Sequence, residues 1–228
     1  MACLPKASIL EFSDALADPK IRGFLHVPEM PNQDGVVLTH GAGGNAQAPL
    51  LRALADTFSA NGFTVLRCDL PFRQIRSFGP PGPGDAARDR AGLKNAVVHM
   101  RKMATGRMFL GGHSYGGRQA SMLCAEERDL VAGLLLLSYP LHPPRRPEQQ
   151  RTQHLPDLYT PTLFVHGTRD PFGSVEELDR AIKMIPGKTK LFAVEGAGHD
   201  LGFRGKARNA ELPALVFSEF SKFQELSS

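Results

Sequence analysis

Met108-Phe109-Leu110-Gly111-Gly112-His113-Ser114-Tyr115-Gly116-Gly117-Arg118 carries an apolar run into Gly-x-Ser-x-Gly and then directly into a helix-forming segment. A strand, a sharp turn bearing a serine, and a helix make up the arrangement of a nucleophile elbow. The turn holds its serine in a strained backbone conformation. Side chains at Gly112 and Gly116 would collide with the neighbouring strand and helix. The helix that begins there aims backbone N–H groups and its positive dipole end at Ser114, where an anionic intermediate would form. The pentapeptide alone is a weak signal, and its strand-turn-helix setting makes it a strong one.

Outward from this stretch, short β runs alternate with longer helical stretches. That rhythm predicts an α/β architecture with a mostly parallel sheet and helices on both faces. Strands are expected at 7–12, 21–27, 35–39, 64–69, 107–111, 134–138, 162–166 and 190–194. Four of them hold successive apolar residues, such as Leu134-Leu135-Leu136-Leu137, a pattern of strands covered on both faces. Helices are expected at 47–61, 85–103, 115–127, 175–184 and 210–224. Asn61-Gly62 closes the first, Asp85 is a candidate cap for the second, and Ser174 with Glu177 has the spacing of a capping box. Residues 71–84, ending in Gly79-Pro80-Pro81-Gly82-Pro83-Gly84, carry too many breakers for helix or strand. The proline-rich stretch 139–160 is a second long loop, read as one that shapes a site.

A serine hydroxyl needs a general base within hydrogen-bond reach and an acid to orient that base. Leu163-Phe164-Val165-His166-Gly167-Thr168-Arg169-Asp170 is a strand with Asp170 just past its end. Phe192-Ala193-Val194-Glu195-Gly196-Ala197-Gly198-His199 repeats the layout with His199 in a glycine-rich loop. Sites of open α/β sheets collect outside the carboxyl ends of the strands. Ser114, Asp170 and His199 are therefore expected to converge, and they follow the chain order of this elbow type. Glu195 and Asp200 are poorer substitutes for the acid because of their positions. Asp170 could instead cap the following helix.

An oxyanion hole is expected at His40-Gly41-Ala42-Gly43-Gly44-Asn45, a glycine-rich loop leaving a buried-type strand. The best donors are the N–H groups of Tyr115 and Ala42, with Gly43 a near rival. His40 and His166 precede glycines at strand ends and read as loop ties. His113 either lines the pocket or packs beneath it. His142 and His154 sit in the proline-rich loop as weaker candidates for the pocket mouth. Arg118 is a candidate for holding an anionic substrate group, although such an arginine more often makes an internal salt bridge.

With 228 residues and 42% hydrophobic content the chain fits one domain, 1–228, with a sizeable core. Its net charge of +4 is mild and its basic residues are spread out, which argues against nucleic acid as a partner. The longest near-apolar run is far shorter than the ~20 residues of a membrane span. The N-terminus lacks the apolar core of a signal peptide. Cys3, Cys68 and Cys124 are few and scattered, so a reducing, cytoplasmic setting is expected, with Cys68 and Cys124 as buried small hydrophobes. Neither His-x-x-x-His nor Cys-x-x-Cys occurs, and the glycines of 41–44 do not form a dinucleotide fingerprint, since position 46 is alanine. Neither a metal nor a cofactor is expected.

From about Ala7 to the C-terminal helix, the chain resembles an α/β-hydrolase. In size and in lacking a large cap domain it is similar to the dienelactone-hydrolase-like group. Leu38-Thr39-His40-Gly41-Ala42-Gly43-Gly44-Asn45, Ser114-Tyr115-Gly116-Gly117-Arg118 and Tyr139-Pro140-Leu141-His142-Pro143-Pro144 resemble a narrower compact subfamily. That subfamily includes a testis-expressed hydrolase-like protein and a subunit of a nuclear acetyltransferase complex. The resemblance implies an eight-stranded, mainly parallel sheet with the triad and hole named above. It does not imply a substrate. The triad residues read as an esterase or thioesterase acting on a small acyl substrate, and the complex-subunit resemblance allows a weakly active scaffold that binds partners instead.

Overall fold

The computed structural model describes residues 7–203 and 210–225. Cys3 and the N-terminal segment considered above lie outside the described residues. Eight strands form one sheet in the order β1-β2-β4-β3-β5-β6-β7-β8. They are β1 (Ser8–Asp14), β2 (Ile21–Val27), β3 (Gly35–Thr39), β4 (Thr64–Cys68), β5 (Met108–His113), β6 (Gly133–Leu137), β7 (Thr162–Gly167) and β8 (Thr189–Val194). β2 runs antiparallel to both β1 and β4, and every other pairing is parallel. Each residue of β3, β4, β6 and β7 is buried, and the apolar runs within them suit strands covered on both sides.

Helices α1 (Pro49–Ala60), α2 (Pro71–Ile75), α3 (Asp85–Met100), α4 (Tyr115–Glu126), α5 (Val175–Ile182) and α6 (Leu212–Glu225) flank the sheet. Successive strand residues point to opposite faces, so the core divides in two. Val36, Leu38, Val65, Phe109 and Leu135 pack with Leu54 and Phe58 of α1 and Phe220 of α6. Val37, Leu66, Leu110 and Leu136 pack with Leu93, Leu123 and Leu178 of α3, α4 and α5. No cap domain covers the strand ends among the described residues. Residues 139–160 cross the rim as a loop broken only by a short 3-10 turn at Leu155–Asp157.

Three local expectations need correction. Residues 71–75 form α2 rather than loop. Pro71 stands in the first turn, where a missing N–H costs nothing, and Phe72 and Arg73 are buried. Asp85 does not cap α3. Gly84 occupies that position with φ +87°, while the Asp85 carboxylate accepts the Gly82 N–H (2.6 Å) and pairs with Arg76. β5 runs two residues beyond its expected end. Gly112 and His113 continue the register opposite Leu136 and Leu137 and deliver the chain directly into the turn at Ser114.

Candidate active site

Ser114 sits between β5 and α4 with φ +52° and ψ −117°, a conformation that side-chain-bearing residues rarely adopt. Its neighbours explain how the turn closes. A Cβ on Gly112 would stand 2.5 Å from the Gly117 nitrogen, and one on Gly116 would stand 2.4 Å from the His40 carbonyl oxygen. Both contacts are shorter than real Cβ atoms tolerate, so β5, α4 and the end of β3 approach closely only because these positions are glycine.

Three loops bring the expected triad side chains together. His199 Nε2 lies 2.8 Å from Ser114 Oγ, and His199 Nδ1 lies 2.8 and 3.0 Å from the two Asp170 carboxylate oxygens. The Asp170 side chain is fully buried, and its Oδ1 also accepts the Phe172 N–H (2.9 Å). Ser174, not Asp170, caps α5, through a complete capping box with Glu177. The Phe172 ring lies over the His199 imidazole, with centroids 4.1 Å apart. His113 takes both positions left open by the sequence. It lines the cavity, and its Nε2 lies 2.8 Å from the His199 carbonyl, holding the loop of that residue. Burial lowers the His113 pKa to about 4, so the ring is neutral at pH 7 and donates that bond.

The glycine loop is oriented carbonyl by carbonyl. His40 Nδ1 (2.8 Å) and the Gly44 N–H (3.0 Å) hold the Gly41 oxygen. His40 Nε2 accepts the Leu70 N–H (3.1 Å), which places the ring proton on Nδ1. Arg73 donates to the carbonyls of Ala42 (2.7 Å), Gly44 (2.8 Å), Gly79 (2.9 Å) and Arg76 (3.1 Å). In a trans peptide the N–H points opposite to the preceding carbonyl. Anchoring the Gly41 and Ala42 oxygens therefore turns the Ala42 and Gly43 N–H groups the other way. Among the described residues neither N–H meets an acceptor. The Tyr115 N–H, first in α4, has no partner within its helix.

These parts border a mainly apolar cavity of about 620 Å3, lined by 40–44, Pro49, Leu50, Phe172 and Phe203 besides Ser114 and His199. Such an arrangement can deprotonate a hydroxyl, hold the imidazolium that forms, and stabilise an oxyanion. Of the remaining candidates, His142 is buried away from the cavity lining, with Nδ1 on the Pro143 carbonyl (2.8 Å) and Nε2 3.4 Å from Glu177. His154 Nε2 meets Ser121 Oγ (2.8 Å), and His166 Nε2 donates to the Gly173 carbonyl (2.8 Å). Arg118 lies outside the cavity lining, on the other flank of α4. Arg73 and Phe172 went unnoticed in the sequence. The breaker-rich composition of 71–84 masked the first, and nothing local marks a ring that will stack on a histidine 27 positions later.

Several solved structures share this architecture. A dienelactone hydrolase from Anabaena variabilis superposes with a TM-score of 0.74 at 20% identity, covering 95% of this chain and 98% of its own. An alpha-beta serine hydrolase homologue from Coxiella burnetii gives 0.71 at 17% identity, with 96% and 99% covered. A lidless α/β serine hydrolase from Xanthomonas campestris gives 0.72 at 15% identity, with 96% and 95% covered. The family model described as an alpha/beta hydrolase domain matches residues 32–220, from the loop before β3 into α6. With the strand order, the serine turn and this match in agreement, the chain belongs to the alpha/beta hydrolase family.

Proposed function

We propose that this hydrolase is a single-domain serine esterase or thioesterase whose catalytic residues are Ser114, His199 and Asp170. One observation carries the reading: an unbroken hydrogen-bonded chain from hydroxyl to imidazole to buried carboxylate, beside backbone N–H groups without acceptors. Ser114 Oγ attacks the acyl carbonyl while His199 Nε2 takes its proton. Asp170 keeps the Nδ1 proton in place and stabilises the imidazolium. The Tyr115 N–H, with that of Ala42 or Gly43, holds the oxyanion. His199 then gives its proton to the leaving alcohol or thiol, and water activated by the same ring releases the acyl enzyme. The apolar cavity suits a small uncharged portion of the substrate.

The narrower phrases in 38–45 and 139–144 support placement in the compact subfamily named above. The buried, unpaired thiols of Cys68 and Cys124 support a reducing, cytoplasmic setting. No helix among the described residues is long and apolar enough to cross a membrane. The test is a fluorophosphonate probe followed by peptide mapping. Labelling is expected at Ser114 and is expected to vanish in Ser114→Ala. Labelling at another serine, or none in the folded wild type, would overturn the assignment.

A further inference from the structure

Arg118 lies one turn into α4, its N–H bonded to the Ser114 carbonyl (2.9 Å). Helical side chains lean toward the N-terminus of their helix, so the guanidinium leans back toward the rim that carries Ser114. The guanidinium bonds the Tyr139 hydroxyl, and its charge reaches Tyr115, Arg151 and His154. The anticipated internal salt bridge is missing. Among the described residues no carboxylate pairs with Arg118 or Arg151, and Arg118 Nε is buried without an acceptor. Arg151 spends one donor on the Pro140 carbonyl (3.2 Å).

Two nearby acids are already engaged: Asp89 accepts the Phe72 N–H (3.0 Å) and the Tyr115 hydroxyl (2.7 Å), and Glu126 pairs with Arg90 (3.1 Å). Asp157 is exposed and pairs with neither arginine. His154, whose pKa burial lowers to about 4, adds no positive charge at pH 7. Two neighbouring guanidinium groups without a counter-ion repel each other and leave charge-assisted donors unused. Their planar forks match an oxyanion, which would relieve both conditions.

We propose that Arg118 and Arg151 form an anion subsite flanking the serine turn, which receives a carboxylate or phosphate carried by the substrate. The apolar portion of that substrate occupies the cavity between His40 and Phe203, on the other side of Ser114. The proposal rests on Ser114 being the nucleophile, and its test separates the two ideas.

Mono-p-nitrophenyl succinate and p-nitrophenyl butyrate have acyl chains of equal length and differ in one terminal carboxylate. Wild type is expected to favour the succinate in kcat/KM by ~10-fold or more, the scale of one charge-assisted contact. Arg118→Gln should erase most of that preference and Arg118→Lys should retain part of it, with Arg151→Gln as the second variant should Arg118→Gln fail to fold. An unchanged ratio in the folded variants overturns the subsite. The second readout needs no turnover. Succinate or inorganic phosphate should raise Tm in wild type and in Ser114→Ala but not in Arg118→Gln. If fluorophosphonate labelling fails, the hydrolase reading falls separately, and this Tm comparison still decides whether the arginines hold an anion. A Tm rise lost in Arg118→Gln without any ester preference would mark an effector site and overturn the substrate assignment.

Discussion

Arg73 and Arg118 flank the serine turn from opposite sides, and the protein uses them differently. Arg73 is buried, with its guanidinium spread over four backbone carbonyls and its plane over the Phe72 ring (4.8 Å). Four of its five N–H donors are spent on the backbone. Arg118 stands beside another arginine with a buried Nε that meets nothing. The contrast separates two jobs that one residue type can perform. A satisfied buried arginine is a strut that sets peptide orientation, whereas an unsatisfied one beside like charge holds binding capacity in reserve.

The strut side should show the larger kinetic effects, because it borders the reacting atoms. His199→Ala is expected to lower kcat on short p-nitrophenyl esters by at least ~1,000-fold, as base deletions do in triads. Activity close to wild type would mean another group is the base. Arg73→Gln leaves the Ala42 and Gly44 carbonyls unheld, so kcat should fall by ~100-fold, the scale of losing one oxyanion donor, with a smaller change in KM. A KM-dominated defect would instead give Arg73 a role in ground-state binding. Arg73→Lys should rescue poorly, since an ammonium cannot span four carbonyls.

Gly116→Ala probes the packing on which both sides depend. Its Cβ would press on the His40 carbonyl at 2.4 Å and on Thr39 Cγ2 at 2.7 Å. A loss of ~1–3 kcal/mol in urea unfolding is expected, the ordinary cost of overpacking, together with slower turnover.

The smallest effect concerns pH. His26, His113 and His154 each have pKa values lowered to about 4, chiefly by burial. In the unfolded chain they return to ~6.5. Between these values the unfolded state binds more protons, so stability is full above about pH 6.5 and is lost as pH falls toward 4. Tm should decline from pH 7 to pH 5 with an uptake of up to three protons, and His154→Gln should remove one of them. A flat Tm over that window would mean these rings are not buried and neutral.

Much of this was legible in the residues because it depends on local chemistry. Runs such as Leu134 to Leu137 announce a strand covered on both faces, and the capping box at Ser174 and Glu177 formed as its spacing predicts. Even the positions brought to the rim were readable, since each follows an apolar strand and precedes a loop of small residues. Elements whose stability comes from distant partners were not legible. α2 looked like a loop because Pro71 reads as a breaker until Asp89 accepts the Phe72 N–H and Arg73 reaches the 42–44 carbonyls. His142 looked like a pocket residue until Glu177, 35 positions away, accounted for it.

Periodicity, glycine placement and chain order thus carry the α/β layering, the turn at Ser114 and the identity of the residues at the strand ends. Each of these follows from forces acting over a few neighbouring positions. Which arginine becomes a strut and which keeps an open donor, and where each histidine places its proton, are properties of the folded assembly. They depend on hydrogen-bond partners tens of residues apart, and no local pattern encodes such partners until the sheet has brought them into contact.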